Sequence, residues 1–281
     1  MKTNEGFEFL RAKLLEPSIK LKVETIKSLV RLDDQEGIPA IIGKLDDPDE
    51  NVRIFALWAL KEFADFVSFP SIVKKLADSS EKVRNYAYNI ILELKSPDFI
   101  PVLEDDLVNP AFPVNTRVTM VDLLGRIAPP EESLFFDSVK NNPEPSLRKA
   151  ILSAWYRTNP DDTAFLMYLN FASHLEPDVS VRTNAQRILK NILAGIKNGL
   201  ESNDTIKRNQ SIEKLSFFKE SVFVTPLIKG MFYSKYQDIR VAALELLNYQ
   251  PKAAVFTVMK EMLFNESDDI KKLAMLGMGK A

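Results

Sequence analysis

The chain has no cysteine and a single histidine, His174. Without cysteine there are no disulfides, no thiolate nucleophiles and no cysteine metal sites. One histidine cannot supply the converging imidazoles of a typical metal centre. A Ser-His-Asp triad would have to recruit His174, and no serine sits in a Gly-x-Ser-x-Gly turn. The 9 glycines are scattered, which argues against a phosphate-cradling loop. No run of about 18 apolar residues suggests a membrane span. The opening Met1–Gly6 lacks the apolar stretch of a signal peptide. Basic residues are not in excess: the formal net charge is −2, which argues against a general nucleic-acid clamp. These absences predict no catalytic residue, no metal and no cofactor. They also predict a protein of the cytoplasm that does not enter a membrane.

What the chain does have is a period. A basic residue recurs at Lys22, Arg53, Arg84, Arg117, Arg148, Arg182, Arg208, Arg240 and Lys271. Most steps are 31 to 34 residues, and one, from Arg182 to Arg208, is 26. A period in this range marks a solenoid of stacked repeats. Before each basic residue lies a short polar turn, as in Asp47-Pro48-Asp49 and Glu176-Pro177-Asp178. Counted from the basic residue, positions −1, +3 and +7 are small or apolar: Val52, Ala56, Leu60; Val83, Ala87, Ile91; Val181, Ala185, Leu189; Ile239, Ala243, Leu247; Ile270, Ala274, Met278. That spacing is one face of a helix. A second helical pattern precedes each turn, with Pro39, Pro70 and Pro226 each 14 residues before their arginine. Proline suits a first helical turn, where its missing N–H has no intrahelical partner. Each unit therefore reads as helix A, a turn, then helix B.

These features resemble the HEAT repeat family, including its phycobilisome-lyase-like variant. The shared pattern is Pro in helix A, an Asp-Pro-rich turn, then Val-Arg followed by Ala and Leu at helical spacing. The resemblance implies an all-α fold, a right-handed superhelix of about nine hairpins filling residues 1–281 as one array. Repeat seven departs most: Lys207 stands where an apolar residue is expected, and its helix A is squeezed into roughly residues 194–201. An irregular joint is expected near 194–208. The last repeat shows no polar capping helix, so the chain is expected either to continue in a longer protein or to pack its end on a partner. The resemblance also implies a ladder between turn acids and helix-B arginines, such as Asp47 with Arg53 and Asp78 with Arg84. At Asn109, Asn142 and Asn265 it would rest on a neutral hydrogen bond.

In HEAT arrays helix B lines the concave surface, which implies protein or peptide binding there and no enzyme activity. With −1, +3 and +7 buried, helix geometry turns +1, +5 and part of +2 toward that groove. The expected partner-binding residues are Ile54, Phe55, Trp58, Tyr86, Asn89, Asp122 and Arg187. Ile, Phe, Trp and Tyr beside an exposed groove have the composition of a hot spot. The competing reading packs Phe55 and Tyr86 between helices and leaves only Trp58 partly exposed. A more polar stretch, Asn184, Arg187, Glu213 and Glu245, would suit a charged peptide. The resemblance admits enzymes as well. Alkyl-base DNA glycosylases would use Trp58, Trp155 and Asp122, but this chain lacks their basic balance; phycobilin lyases have similar repeats, but no pigment motif stands out. A regulatory module of a longer protein is the remaining alternative.

Overall fold

The computed structural model describes residues 4–264 and 267–278. Expectations placed on Asn265, the Met278 side chain and residues 279–281 lie outside them. Among the described residues there are seventeen α-helices and no strand. The all-α reading therefore holds. The chain divides into two compact units, residues 1–158 and 159–281.

The first unit contains α1 (Asn4–Lys13), α2 (Ile19–Arg31), α3 (Ile38–Ile42), α4 (Glu50–Phe63), α5 (Phe69–Lys74), α6 (Glu81–Leu94), α7 (Phe99–Val108), α8 (Val114–Ile127), α9 (Ser133–Val139) and α10 (Pro145–Thr158). They pair as five hairpins, and successive second helices, α2 to α10, pack on one another. Pro39 and Pro70 sit in the first turns of α3 and α5, as their spacing predicts. Those two first helices are short and finish as 3-10 turns, at Gly43–Asp46 and Lys75–Ala77. Val52, Ala56, Leu60, Val83, Ala87 and Ile91 are all inaccessible to solvent, so the predicted face is the core face.

The turn cation has two jobs. Its guanidinium folds back on its own turn: Arg53 Nη1 donates to the Asp47 and Pro48 carbonyls at 2.8 and 3.1 Å, and Arg84 does the same to Asp78 and Ser79 at 2.8 and 3.0 Å. Arg148, Arg182 and Arg208 repeat this at the same offset. The remaining edge points forward to the next turn. Lys22 Nζ reaches Asp47 at 2.7 Å, and Arg53 grips Asp78 through Nε and Nη2 at 3.0 and 2.9 Å. The ladder thus differs from its expected form: an arginine bonds the backbone, not the carboxylate, of its own turn, and the carboxylate belongs to the cation one hairpin earlier. Burial pushes the Asp47 and Asp78 carboxyls up. Lys22 and Arg53, with backbone N–H donors from Asp49 and Ser80, outweigh it and hold both below the usual carboxylate range. Where the turn residue is Asn109 or Asn142, its side chain accepts from the backbone N–H two residues on. Arg117 Nε, one hairpin before Asn142, is buried without a hydrogen-bond partner.

Three residues of this unit adopt left-handed backbone without being glycine: Asp33 (φ 57°), Ala64 (φ 49°) and Lys95 (φ 46°). They lie 31 residues apart, each just past the end of a second helix. A left-handed C-terminal residue turns the chain and lets its N–H satisfy a terminal carbonyl; Ala64 N–H does so to Leu60 and Lys61.

The second unit contains α11 (Thr163–Leu175), α12 (Val179–Leu200), α13 (Thr205–Ser216), α14 (Thr225–Met231), α15 (Gln237–Leu247), α16 (Lys252–Leu263) and α17 (Asp268–Met278). Pro226 opens α14 as predicted. Residues 194–200 are not a separate short helix: they continue α12, which runs for 22 residues. No proline follows Leu189 within the helix, and the buried face carries on through Ile192, Ile196 and Leu200. α12 therefore packs on α11 with one half and on α13 with the other. Gly199 permits the second contact, because a Cβ there would fall 1.9 Å from Ser211 Oγ of α13.

Candidate binding surface

On α4, Asp49 caps the helix start by accepting from Asn51 and Val52 N–H. Burial of Val52, Ala56 and Leu60 fixes the rotation of the helix. Ile54, Phe55 and Trp58 are then left half-buried along its flank. Phe55 and Trp58 meet edge to face, with centroids 6.3 Å apart, and Lys27 Nζ lies 4.9 Å over the Phe55 ring. On the neighbouring α6, Tyr86 is half-buried and Asn89 exposed. Burial pushes the Tyr86 hydroxyl above its ordinary pKa. Lys61 of α4 and Glu93 of α6 form an ion pair that ties the two helices together. Neither sequence reading of this cluster holds in pure form, since Phe55, Tyr86 and Trp58 share the same intermediate burial.

Asp122 lies further along, on α8. Its carboxylate accepts from Tyr88 Oη at 2.7 Å, Arg126 Nε at 2.8 Å and Arg157 Nη2 at 2.8 Å. Burial pushes Asp122 up, but these three donors outweigh it and hold it below the usual range. It is a hub joining α6, α8 and α10. Trp155 is wholly buried in α10. Two of the residues a glycosylase reading would need, Trp155 and Asp122, are thus absorbed into packing. Arg187 belongs to the second unit, where it is exposed on α12 and donates to Asn184 Oδ1 at 2.9 Å. Asn184 itself is buried, contrary to the groove position expected for it.

His174 meets a serine after all. Its Nε2 lies 3.0 Å from Ser221 Oγ, while Nδ1 lies 2.8 Å from Ser173 Oγ and 2.9 Å from the Asn170 carbonyl. Ser221 is only 2 % exposed and caps a 3-10 turn by accepting from Phe223 N–H. A hydroxyl so enclosed, beside an imidazole oriented by a neutral carbonyl, has no access to a substrate. The pair instead links α11 to the 3-10 turn that precedes α14. Among the described residues no group of His, Cys, Asp and Glu could hold a metal, and no helix is long and apolar enough to cross a membrane.

Sequence reasoning missed two surfaces of the second unit. The first is a row on α11: Met167, Phe171 and Leu175 stand exposed at four-residue spacing, opposite the buried Phe165, Leu169 and Ala172. The signal was there, since a helix apolar on all sides needs cover on all sides. The second is a cleft of about 810 Å³ between the C-terminal half of α12, α14 and the start of α15. No local pattern announces it, because it forms between helices.

The family model for HEAT repeats matches residues 7–73. The hairpins there are similar to HEAT repeats, and the turn-cation geometry continues the same pattern beyond them. No curated protein matches the chain. Among solved structures, the CpcE–CpcF complex of phycocyanin lyase from Nostoc is similar at 16 % identity, covering 98 % of this chain and 94 % of that one, with a TM-score of 0.35. Human deoxyhypusine hydroxylase in complex with glycerol is similar at 16 % identity, covering 90 % and 98 %, with a TM-score of 0.38. Kap95p in complex with RanGDP is similar at 12 % identity, covering 100 % of this chain and 45 % of that one, with a TM-score of 0.41.

Proposed function

We propose that this chain is a non-enzymatic scaffold of the cytoplasm whose residues 1–281 act as one HEAT-type array. It binds a protein or peptide along its second helices, the row that forms the concave face of such arrays. The observation that carries this reading is the half-buried cluster of Ile54, Phe55, Trp58 and Tyr86 on two packed helices, rimmed by Lys27 and the Lys61–Glu93 pair. Apolar anchors held rigid within a charged rim are what a binding hot spot requires. Asn89 adds an exposed amide, and Asp122 fixes the next helix. Use of the polar groups favours binding over catalysis: Asp122 serves three donors and Ser221 caps a turn.

Affinity capture tests the proposal, with the wild-type chain beside a Phe55→Ala/Trp58→Ala variant whose helicity and melting are verified. A protein retained by the wild type and lost with the variant supports the scaffold and its site. Equal retention moves the site off α4. Turnover of a substrate by the purified chain would overturn the non-enzymatic reading.

A further inference from the structure

The cleft in the second unit has an apolar floor of Leu193, Leu200, Leu227, Met231 and Ile239, with Phe223, Tyr233 and Tyr236 around it. Leu200, Met231 and Ile239 are buried, while Phe223 and Tyr233 are 43 % and 46 % exposed. The space exists because the residues facing it from α12 and α14 are small: Ala194 and Gly230. A Cβ added at Gly230 would meet nothing within 4 Å. The apolar surface does not end at the cleft. Phe223 lies against His174, ring centroids 5.1 Å apart, and His174 sits on α11 between Phe171 and Leu175. The exposed row on α11 thus runs onto the rim of the cleft. Met167 to Leu175 adds about 12 Å of helix to its length.

The charge around this surface is mostly positive. α12 carries Arg182, Arg187, Lys190 and Lys197 and no acidic residue. Residues 179–240 hold eleven Lys and Arg against five Asp and Glu, a surplus of six in a chain whose net charge is −2. In the cleft wall, Lys197 and Lys235 pair with no carboxylate among the described residues. Lys235 contacts only Asn203 Oδ1, at 3.5 Å, and the Tyr236 ring, at 4.9 Å. The one acid of the lining is Glu201.

We infer that this cleft is a second docking site, on the first-helix side of the array, for an acidic amphipathic helix of a partner protein. An elongated apolar groove between two helices matches the way an amphipathic helix seats its i, i+3, i+4 and i+7 side chains. The unpaired lysines select an acidic flank and disfavour a basic one. A small molecule would fill the cleft and leave the α11 row uncovered. The inference shares with the proposed function only the premise that the ligand is a polypeptide; it does not need the α4–α6 cluster.

The probe is a fluorescein-labelled, hydrocarbon-stapled helix of about 15 residues, leucine at i, i+3, i+4 and i+7 and glutamate elsewhere. Its control carries lysine in place of glutamate. Fluorescence anisotropy is read with the wild type, Gly230→Trp, Lys197→Glu/Lys235→Glu and Phe55→Ala/Trp58→Ala. Saturable binding of the acidic probe to the wild type is expected. Charge reversal should weaken it by about tenfold or more. Gly230→Trp should abolish it, and because the new ring enters open space the melting temperature should hold. The Phe55/Trp58 variant should bind as the wild type does. Binding that survives Gly230→Trp, or that is as strong for the lysine control, overturns the inference. Loss in the Phe55/Trp58 variant alone also overturns it, while leaving the proposed function standing. If the probe fails but an anionic dye such as anilinonaphthalene sulfonate binds the wild type and not Gly230→Trp, the cleft takes a small amphiphile and the helix docking is wrong.

Discussion

In residues 1–158 the helices α2, α4 and α6 each end in a left-handed joint, and Lys22 and Arg53 each reach forward to a turn carboxylate; among the described residues of 159–281 the cation recurs and Arg208 reaches forward to Asp238, but no joint is left-handed. The exposed surface changes with that regularity. Among the described residues, fourteen large apolar side chains are exposed in the second unit and seven in the first, although the first is longer. Where successive hairpins share a geometry, each apolar face finds the next one and is covered. Where α12 serves two neighbours, the spacing of first helices changes, a cleft opens beside α14, and apolar residues remain for something else to cover. Regular repetition serves stability here, and departure from it makes room for a ligand.

The comparison breaks most directly at the arginines. Arg53 holds two carbonyls of its own turn and both oxygens of Asp78, all largely buried. Arg240 of the second unit reaches one carbonyl, that of Ser234. Arg53→Met should destabilise by about 3 kcal/mol, because buried Asp78 loses its two-pronged partner and keeps only Lys75, at 3.7 Å. Arg240→Met should cost about 1 kcal/mol. Equal losses in urea unfolding would mean that the forward ion pair adds nothing. Acid tests the same pairs. Asp47 and Asp78 are depressed in the folded state, so their stabilisation is present above the unfolded value of 3.8 and is lost as pH falls through the lower folded values.

Glycines sharpen the contrast next. A Cβ at Gly125 would sit 2.7 Å from the Ala154 backbone, where α8 and α10 cross. Gly125→Ala should therefore cost about 1–3 kcal/mol. Gly230→Ala, in the open cleft, should instead stabilise by about 0.5–1 kcal/mol through helix propensity. Thermal melts read both, and the signs should be opposite.

A smaller effect lies in the first unit at Glu104 of α7. Burial raises this carboxyl to about 7, with the nearby Glu132 carboxylate the next cause. Its Oε1 is buried with no donor directed at it, so the protonated form is the one that fits. A raised acid binds its proton more tightly folded than unfolded, so it favours folding at low pH. That advantage fades as pH rises from about 4.5, the unfolded value, to about 7. Glu104→Gln should be stabilising by about 1–2 kcal/mol at pH 8, after screening by solvent, and near neutral at pH 4. A pH-independent difference would rule out the titration.

The left-handed joints give the smallest change. Ala64→Gly relieves a strained backbone and should gain about 0.5–1 kcal/mol. The same change at an ordinary helical position of α15 should cost about that much. Circular-dichroism melts of the two variants would separate them.

Much of the fold was legible because its signals are local. The −1, +3, +7 face, the first-turn prolines and the turn cation each depend on a few adjacent residues, and among the described residues they fall where the spacing puts them. The joints at Asp33, Ala64 and Lys95 were not legible, because Gly, the residue that usually marks such backbone, is missing from all three. The continuity of α12 was hidden by an expectation of equal repeats, although no proline lies between Leu189 and Leu200. The candidate surface was half legible. Burial on one face of α4 and α6 places Ile54, Phe55, Trp58, Tyr86 and Asn89 on their flanks. Helix geometry could not reveal that Asp122 is occupied by Tyr88 and Arg157 from other helices.

Equivalent joints make hairpins interchangeable parts. Excising residues 34–64 would splice Asp33 to Asp65, replacing one left-handed joint by another at the same point in the repeat. Lys22 would lose Asp47 and find Asp78 in the same place, since both occupy the same position in successive turns. Such a chain should still melt cooperatively, one hairpin shorter. An ancestral gene could therefore have lengthened or shortened this part of the protein by copying whole segments, with no new contact to invent. A cut through α12 has no such equivalent, because that helix belongs to two hairpins at once.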